Sequence, residues 1–244
     1  MELTKKLFGP VDMTQGTPWK RISLFAVPML IGNIAQQLYN TVDSIVVGNY
    51  VGDNALAAVG SAGPILNLLI VSFVGISMGA SVMVSQYYGA RDREALSQTI
   101  GSSIFLTFIA SIIVAIVGAL VARPLLELLD TPDTIIDWCT NYLLILFIGG
   151  AGLAFYNILS GILRGLGDSV SALIYLVIAC VLNIILDLLF VIRFNLGVSG
   201  VALATAIAQG VSAFLCFLKL CISLSVQYDL MVMIFLKLTL LLLV

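Results

Sequence analysis

VLNIILDLLF, residues 181–190, sets an amide, Asn183, and a carboxylate, Asp187, four positions apart in an otherwise apolar run. Residues at i and i+4 stack on one face of a helix, so the stretch carries both polar groups side by side among leucine and isoleucine. In lipid, the carboxylate alone costs roughly 2.5–3.5 kcal/mol on insertion scales. The class of the protein follows from whether the rest of the chain puts this helix in lipid.

It does. The 244 residues are 61% hydrophobic and only 10% charged, against about 25% charged in soluble domains. A soluble core of this size has too little interior to hide that surface. The sequence therefore predicts an all-α polytopic membrane protein, without the ~10-residue alternation of a membrane barrel. There are 0 histidines, which removes His proton relays and nearly all zinc chemistry. The 4 cysteines form no CxxC pair, and Cys180 and Cys216 lie in apolar runs as small buried hydrophobes. No phosphate loop or catalytic triad pattern occurs, and a net charge of −2 gives no reason to expect nucleic acid as a partner. Neither an enzyme nor a bound cofactor is expected.

About 20 residues cross the hydrocarbon, and six spans of that length are predicted, at 22–47, 55–87, 96–121, 138–159, 170–192 and 198–220. Residues 1–21 are polar and mixed, unlike a cleavable signal. Lys5, Lys6, Lys20, Arg21, Arg91, Arg93, Arg164 and Lys219 fall on one side of this topology, and only Arg123 and Arg193 on the other. The cation bias predicts a cytoplasmic N-terminus. The tail, 221–244, is a short apolar run with one lysine and reads as the front of an interrupted segment.

Topology also predicts depth. Asp43 and Asp187 stand near the outer ends of their spans and Thr205 near the outer start of its own. At about 1.5 Å per residue, all three lie in the outer half, and Tyr142, early in the fourth span, falls in the same layer. Asp43 and Asp187 are the only carboxylates within the spans. Each could simply hydrogen-bond a neighbouring helix as structural polarity. Two ionised acids side by side repel, however, so the pair either holds a proton or shares a cation. Asn183 and Thr205 add neutral oxygens suited to a hard ion such as Na⁺. Tyr39, one turn before Asp43, is placed to donate to it. Asn33, Gln36, Gln37 and Asn40 form a polar stripe on the first span, as cavity wall or helix interface. Gly75 with Gly79, and the cluster Gly149, Gly150 and Gly152, predict close helix packing. Pro28 predicts a kink, structural or hinge-like.

These residues, in this order, resemble the N-terminal half of the multidrug and toxic compound extrusion (MATE) family, in its bacterial DinF- and MepA-like branch. The carrying segments are VPMLIGNIAQQLYNTVDSIVVG at 27–48, YYGARD at 87–92, LLDTPD at 128–133, GILRGLGDS at 161–169, NIILD at 183–187 and GVSGVALATAIAQ at 197–209. The resemblance covers about residues 15–220 and implies one six-helix lobe of a two-lobed, plasma-membrane antiporter. It implies export of organic cations, drugs or metabolites against Na⁺ or H⁺. It maps the cation site onto Asp43, Asn183, Asp187 and Thr205, with Tyr39, Tyr142, Asn40 and Gln36 in support and Pro28 at the bend. The family often follows its NxxxD with proline; here Leu188 stands instead. A second six-helix lobe is the implied partner, beside substrate and lipid. Two other readings remain: a lipid-linked oligosaccharide flippase of the related superfamily, disfavoured because the six spans hold no Lys or Arg short of Lys219 at the end of the last, and a non-transporting degenerate or partner half-subunit.

Overall fold

The structure, a computed structural model, describes residues 17–228, except the side chains of 18, 20, 21, 24, 25 and 224–228. Most of the expected N-terminal segment and the tail from 229 onward lie outside these described residues. Six long helices follow one another: α1 (Pro18–Tyr50), α2 (Asp53–Ala90), α3 (Arg93–Leu128), α4 (Asp133–Gly165), α5 (Ser169–Leu188), which continues into a π turn (Leu189–Arg193), and α6 (Gly197–Tyr228). The helices overrun the predicted spans, and α6 runs on past 220 into what the sequence marks as tail.

Five of these elements, α2, α3, α4, α5 with its π turn, and Gly197–Ser223 of α6, are long and apolar enough to cross a membrane. The described part of α1 is not among them, so the six-span expectation is shown only in part. Its polar stripe, Asn33, Gln36, Gln37, Asn40 and Asp43, falls within that described part.

Local chemistry sets the corners. Asp92 caps α3 by accepting from the Ala95 N–H at 3.0 Å. Asp168 caps α5, accepting from the Ser171 N–H at 3.0 Å and from its hydroxyl at 2.8 Å. Gly52 (φ 111°) and Gly167 (φ 87°) take turn conformations that a side chain would strain. Residues 123–137, which include Glu127, Asp130, Asp133 and Asp137, are mostly helical. Only 129–132 joins α3 to α4, and exposed Arg123 clasps the corner, 3.1 Å from Glu127 and 3.0 Å from Asp137.

The core is built around α4, which packs against α2, α3 and α6, while α1 lies mainly against α5. Buried positions on α2 recur every three or four residues, from Ala55 through Ala62, Leu69 and Phe73 to Ser77, Ala80 and Val84. Small residues decide how close α4 comes to its neighbours. A Cβ on Gly152 would stand 2.8 Å from the Gly210 nitrogen, so α4 and α6 meet backbone to backbone there. Gly161 leaves room for the hydroxyl and carbonyl of Ser77 on α2. The GxxxG pair Gly75 and Gly79 does not serve this purpose. Both are exposed with open space around them, because the face of α2 turned to α4 is the one bearing Ser77, Ala80 and Val84.

Candidate cation site

The polar residues of the central layer come from four helices. Tyr39 and Asp43 stand one turn apart on α1, Tyr142 on the first half of α4, Asn183 and Asp187 on α5, and Thr205 on α6. Burial is severe: Asp187 is 0% exposed, Asn183 2% and Asp43 8%. The carboxyl groups of Asp43 and Asp187 stand close enough to act on each other's charge. Between two carboxyls such proximity needs a shared proton or a cation, since carboxylate oxygens only accept. Asn183 donates from Nδ2 to the Thr205 hydroxyl at 3.3 Å, tying α5 to α6. Tyr142 is buried within electrostatic reach of Asp43, Asp187 and Tyr39.

A residue not singled out from sequence completes the group. Gln209, one turn after Thr205 on α6, is 4% exposed and donates from Nε2 to the Tyr39 hydroxyl at 3.5 Å. The signal was present, because 205 and 209 share a helix face as 183 and 187 do. The expected Tyr39–Asp43 hydrogen bond is not among those formed. The Tyr39 hydroxyl instead meets Gln209 of α6.

The layer is short of donors. Asp43 Oδ1, both carboxyl oxygens of Asp187, Asn183 Oδ1 and Gln209 Oε1 are buried with no hydrogen-bond partner. Orphaned buried acceptors are rare and costly, each about 1–3 kcal/mol. Here they gather around one carboxyl pair, which is the environment a cation or proton relieves. Among the described residues there is no cluster of three or more His, Cys, Asp and Glu, so the donor set is one of two acids and neutral oxygens. That chemistry fits a hard monovalent ion. Tyr39, Asn183, Thr205 and Gln209 also wall a cleft that is too tight to admit a water.

The other expected residues lie elsewhere. Asn40 faces outward and hydrogen-bonds Gln37 at 3.3 Å rather than joining the layer. Gln36 is half-buried, and it and Pro28 line a separate cavity toward the other end of the bundle. The helix runs through Pro28 unbroken. After Asp187, where Leu188 replaces the family's proline, the helix is interrupted all the same: the π turn begins at Leu189. Such turns mark functional stretches of helices more often than chance.

Comparison with known proteins agrees with this architecture. The MatE family model matches residues 28–189. The probable multidrug resistance protein YoeA of Bacillus subtilis is 34% identical over 212 residues, covering 85% of this chain and 46% of its own length. The multidrug export protein MepA of Staphylococcus saprophyticus is 26% identical over 196 residues, covering 80% and 43%. A solved outward-facing conformation of a multidrug resistance MATE family transporter of the MOP superfamily is similar with a TM-score of 0.78 at 28% identity, over 94% of this chain and 48% of that one. The chain thus spans about half the length of the relatives it matches.

Proposed function

Because this chain belongs to the MatE family, we propose that it forms the ion-coupling half of a Na⁺- or H⁺-driven antiporter that exports organic cations, drugs or metabolites. The supporting observation is the buried Asp43–Asp187 pair with its surrounding partnerless oxygens. In this reading, ion or proton arrival neutralises the pair and lets α1, α5 and α6 close on it. Departure restores the repulsion and loosens the same contact. That coupling is a differential affinity of two arrangements for one ion. The N-terminus is cytoplasmic, α1 also spans the membrane and brings the number of spans to six, and its polar face is turned from lipid.

Since its relatives are about twice as long, export needs a second six-helix half, and the 244 residues alone do not transport. Radiolabelled Na⁺ binding to the purified chain, with a parallel record of proton release, tests the site directly. Saturable binding of either ion that disappears in Asp187→Asn supports the assignment. Full ion-driven efflux by Asp187→Asn, in cells that also supply the second half, refutes it.

One observation favours a second reading. The absence of cations from 138–159 counts against a lipid-linked oligosaccharide flippase, but α4 continues to Gly165 and its Arg164 lines a cavity. Uptake of labelled lipid-linked sugar into vesicles carrying both halves, with no drug efflux, decides for the flippase.

A further inference from the structure

A second cavity, about 390 Å³, lies between α1, α2, α4 and α5, within the roughly 300–1,000 Å³ of small-molecule pockets. Its Arg164 stands about 33 Å along α4 from Tyr142 at 1.5 Å per residue, so it is distinct from the polar layer. The lining is sorted by depth. Ser77, Ser160 and Ser169 are buried at the floor, while Met29, Val74, Met78 and Val82 are exposed at the lip.

Arg164 is half-buried in the last turn of α4. Helix carbonyl ends favour a cation there, but a guanidinium has five donors to satisfy. Among the described residues, no hydrogen bond or ion pair reaches it, and the ionisable groups that act on it are the Tyr156 hydroxyl and the Cys216 thiol. Asp168, four residues on, is engaged elsewhere: it caps α5 and lies 3.5 Å from the Lys219 ammonium. Ser77 and Ser160 donate to the Asn157 carbonyl at 2.6 and 3.0 Å. Ser81 and Ser169 keep free hydroxyl protons on the same cavity, and Ser169 opens α5, where the N–H groups of 169 and 170 have no intrahelical acceptor while that of Ser171 is taken by Asp168. A cation inside a membrane protein is expensive without a counter-charge, and this one faces a donor-rich floor with no acid on it.

We propose that the cavity binds an anionic amphiphile, with its phosphate or other oxyanion head on Arg164, Ser81 and Ser169 and its apolar chain along Met29, Val74, Met78 and Val82. A lipid headgroup and a free phosphate share the head chemistry; the apolar lip is what a free anion leaves unused.

Native mass spectrometry of the full chain from detergent tests this, with phosphatidylglycerol, phosphatidylcholine or inorganic phosphate added. The expected result is one retained phosphatidylglycerol, bound about tenfold or more tighter than phosphatidylcholine. Arg164→Gln should weaken it by at least that factor, the scale of losing charge-assisted hydrogen bonds. Arg123→Gln, at an exposed cation on another corner, should leave it unchanged. If Arg164→Gln does not fold, Val74→Trp, which fills the lip without touching the arginine, should displace the lipid. Equal retention of the two lipids, or wild-type retention by Arg164→Gln or Val74→Trp, overturns the proposal. Full displacement by millimolar inorganic phosphate overturns the amphiphile and reduces the site to one for a free oxyanion.

Discussion

Replacing Gln209 by leucine separates a ligand from a structural strut. In the ion-free protein its Oε1 is a buried acceptor with no partner, and removing such a group recovers about 1–3 kcal/mol of desolvation. The loss is the Nε2–Tyr39 bond, long at 3.5 Å, and interhelical side-chain bonds in membranes average about 0.6 kcal/mol. The difference leaves Gln209→Leu more stable than wild type by about 0.4–2.4 kcal/mol without ion. At roughly 2–4 °C per kcal/mol for a chain of this size, the midpoint rises by about 1–10 °C. Ion reverses the order. Binding at a hundredfold excess over Kd stabilises by about 2.7 kcal/mol, and a variant lacking one oxygen ligand gains less. Thermal unfolding in detergent, with and without 200 mM NaCl against choline chloride, reads both effects. A Gln209→Leu protein that is less stable by over 1 kcal/mol in both salts would refute the reasoning and make Gln209 a strut.

Four further outcomes follow from the packing and the site. Asp43→Asn and Asp187→Asn should each abolish ion-dependent stabilisation while retaining helical circular dichroism; persistence of the ion effect in either removes that carboxyl from the site. Gly152→Ala pushes α4 off the Gly210 backbone and should cost about 1–3 kcal/mol, seen as a lower unfolding midpoint. Gly79→Ala, by contrast, enters open space within a helix and should stabilise by about 0.5–1 kcal/mol, so a loss there would contradict the described α2–α4 register. Thr205→Val removes the hydroxyl that Asn183 donates to, and should weaken ion binding more than it changes the ion-free midpoint.

The buried acids were legible because cost makes them conspicuous. A carboxylate in an apolar run must turn inward, and span ends set its depth, so Asp43, Asp187, Asn183 and Thr205 converge as topology requires. Gln209 escaped notice because it stands among alanines on the sixth helix, where an isolated amide is unremarkable until its facing residue, Tyr39, is known. Asn40 misled for the opposite reason. It shares the first helix's polar stripe, but that stripe is wider than the face α1 turns to α5, and Asn40 falls on the outer part. The glycines show the same limit. Spacing identifies a smooth helix face, yet only the neighbour's position tells whether that face is used, and Gly152 is while Gly75 is not. The interruption after Asp187 could not be read from Leu188, since a π turn needs no proline.

The corners between these helices have a mechanical consequence. Connections of two to four residues, 51–52, 91–92, 129–132, 166–168 and 194–196, join helices of up to 38 residues. Such hinges are too short to store slack, and several are pinned by caps or by the Arg123 clasp. Any change of shape must then be borne by the helical rods themselves, as bending or rewinding. The place where a rod already departs from regular winding, 189–193, begins two residues after Asp187, so compliance and charge sit on neighbouring residues of one helix.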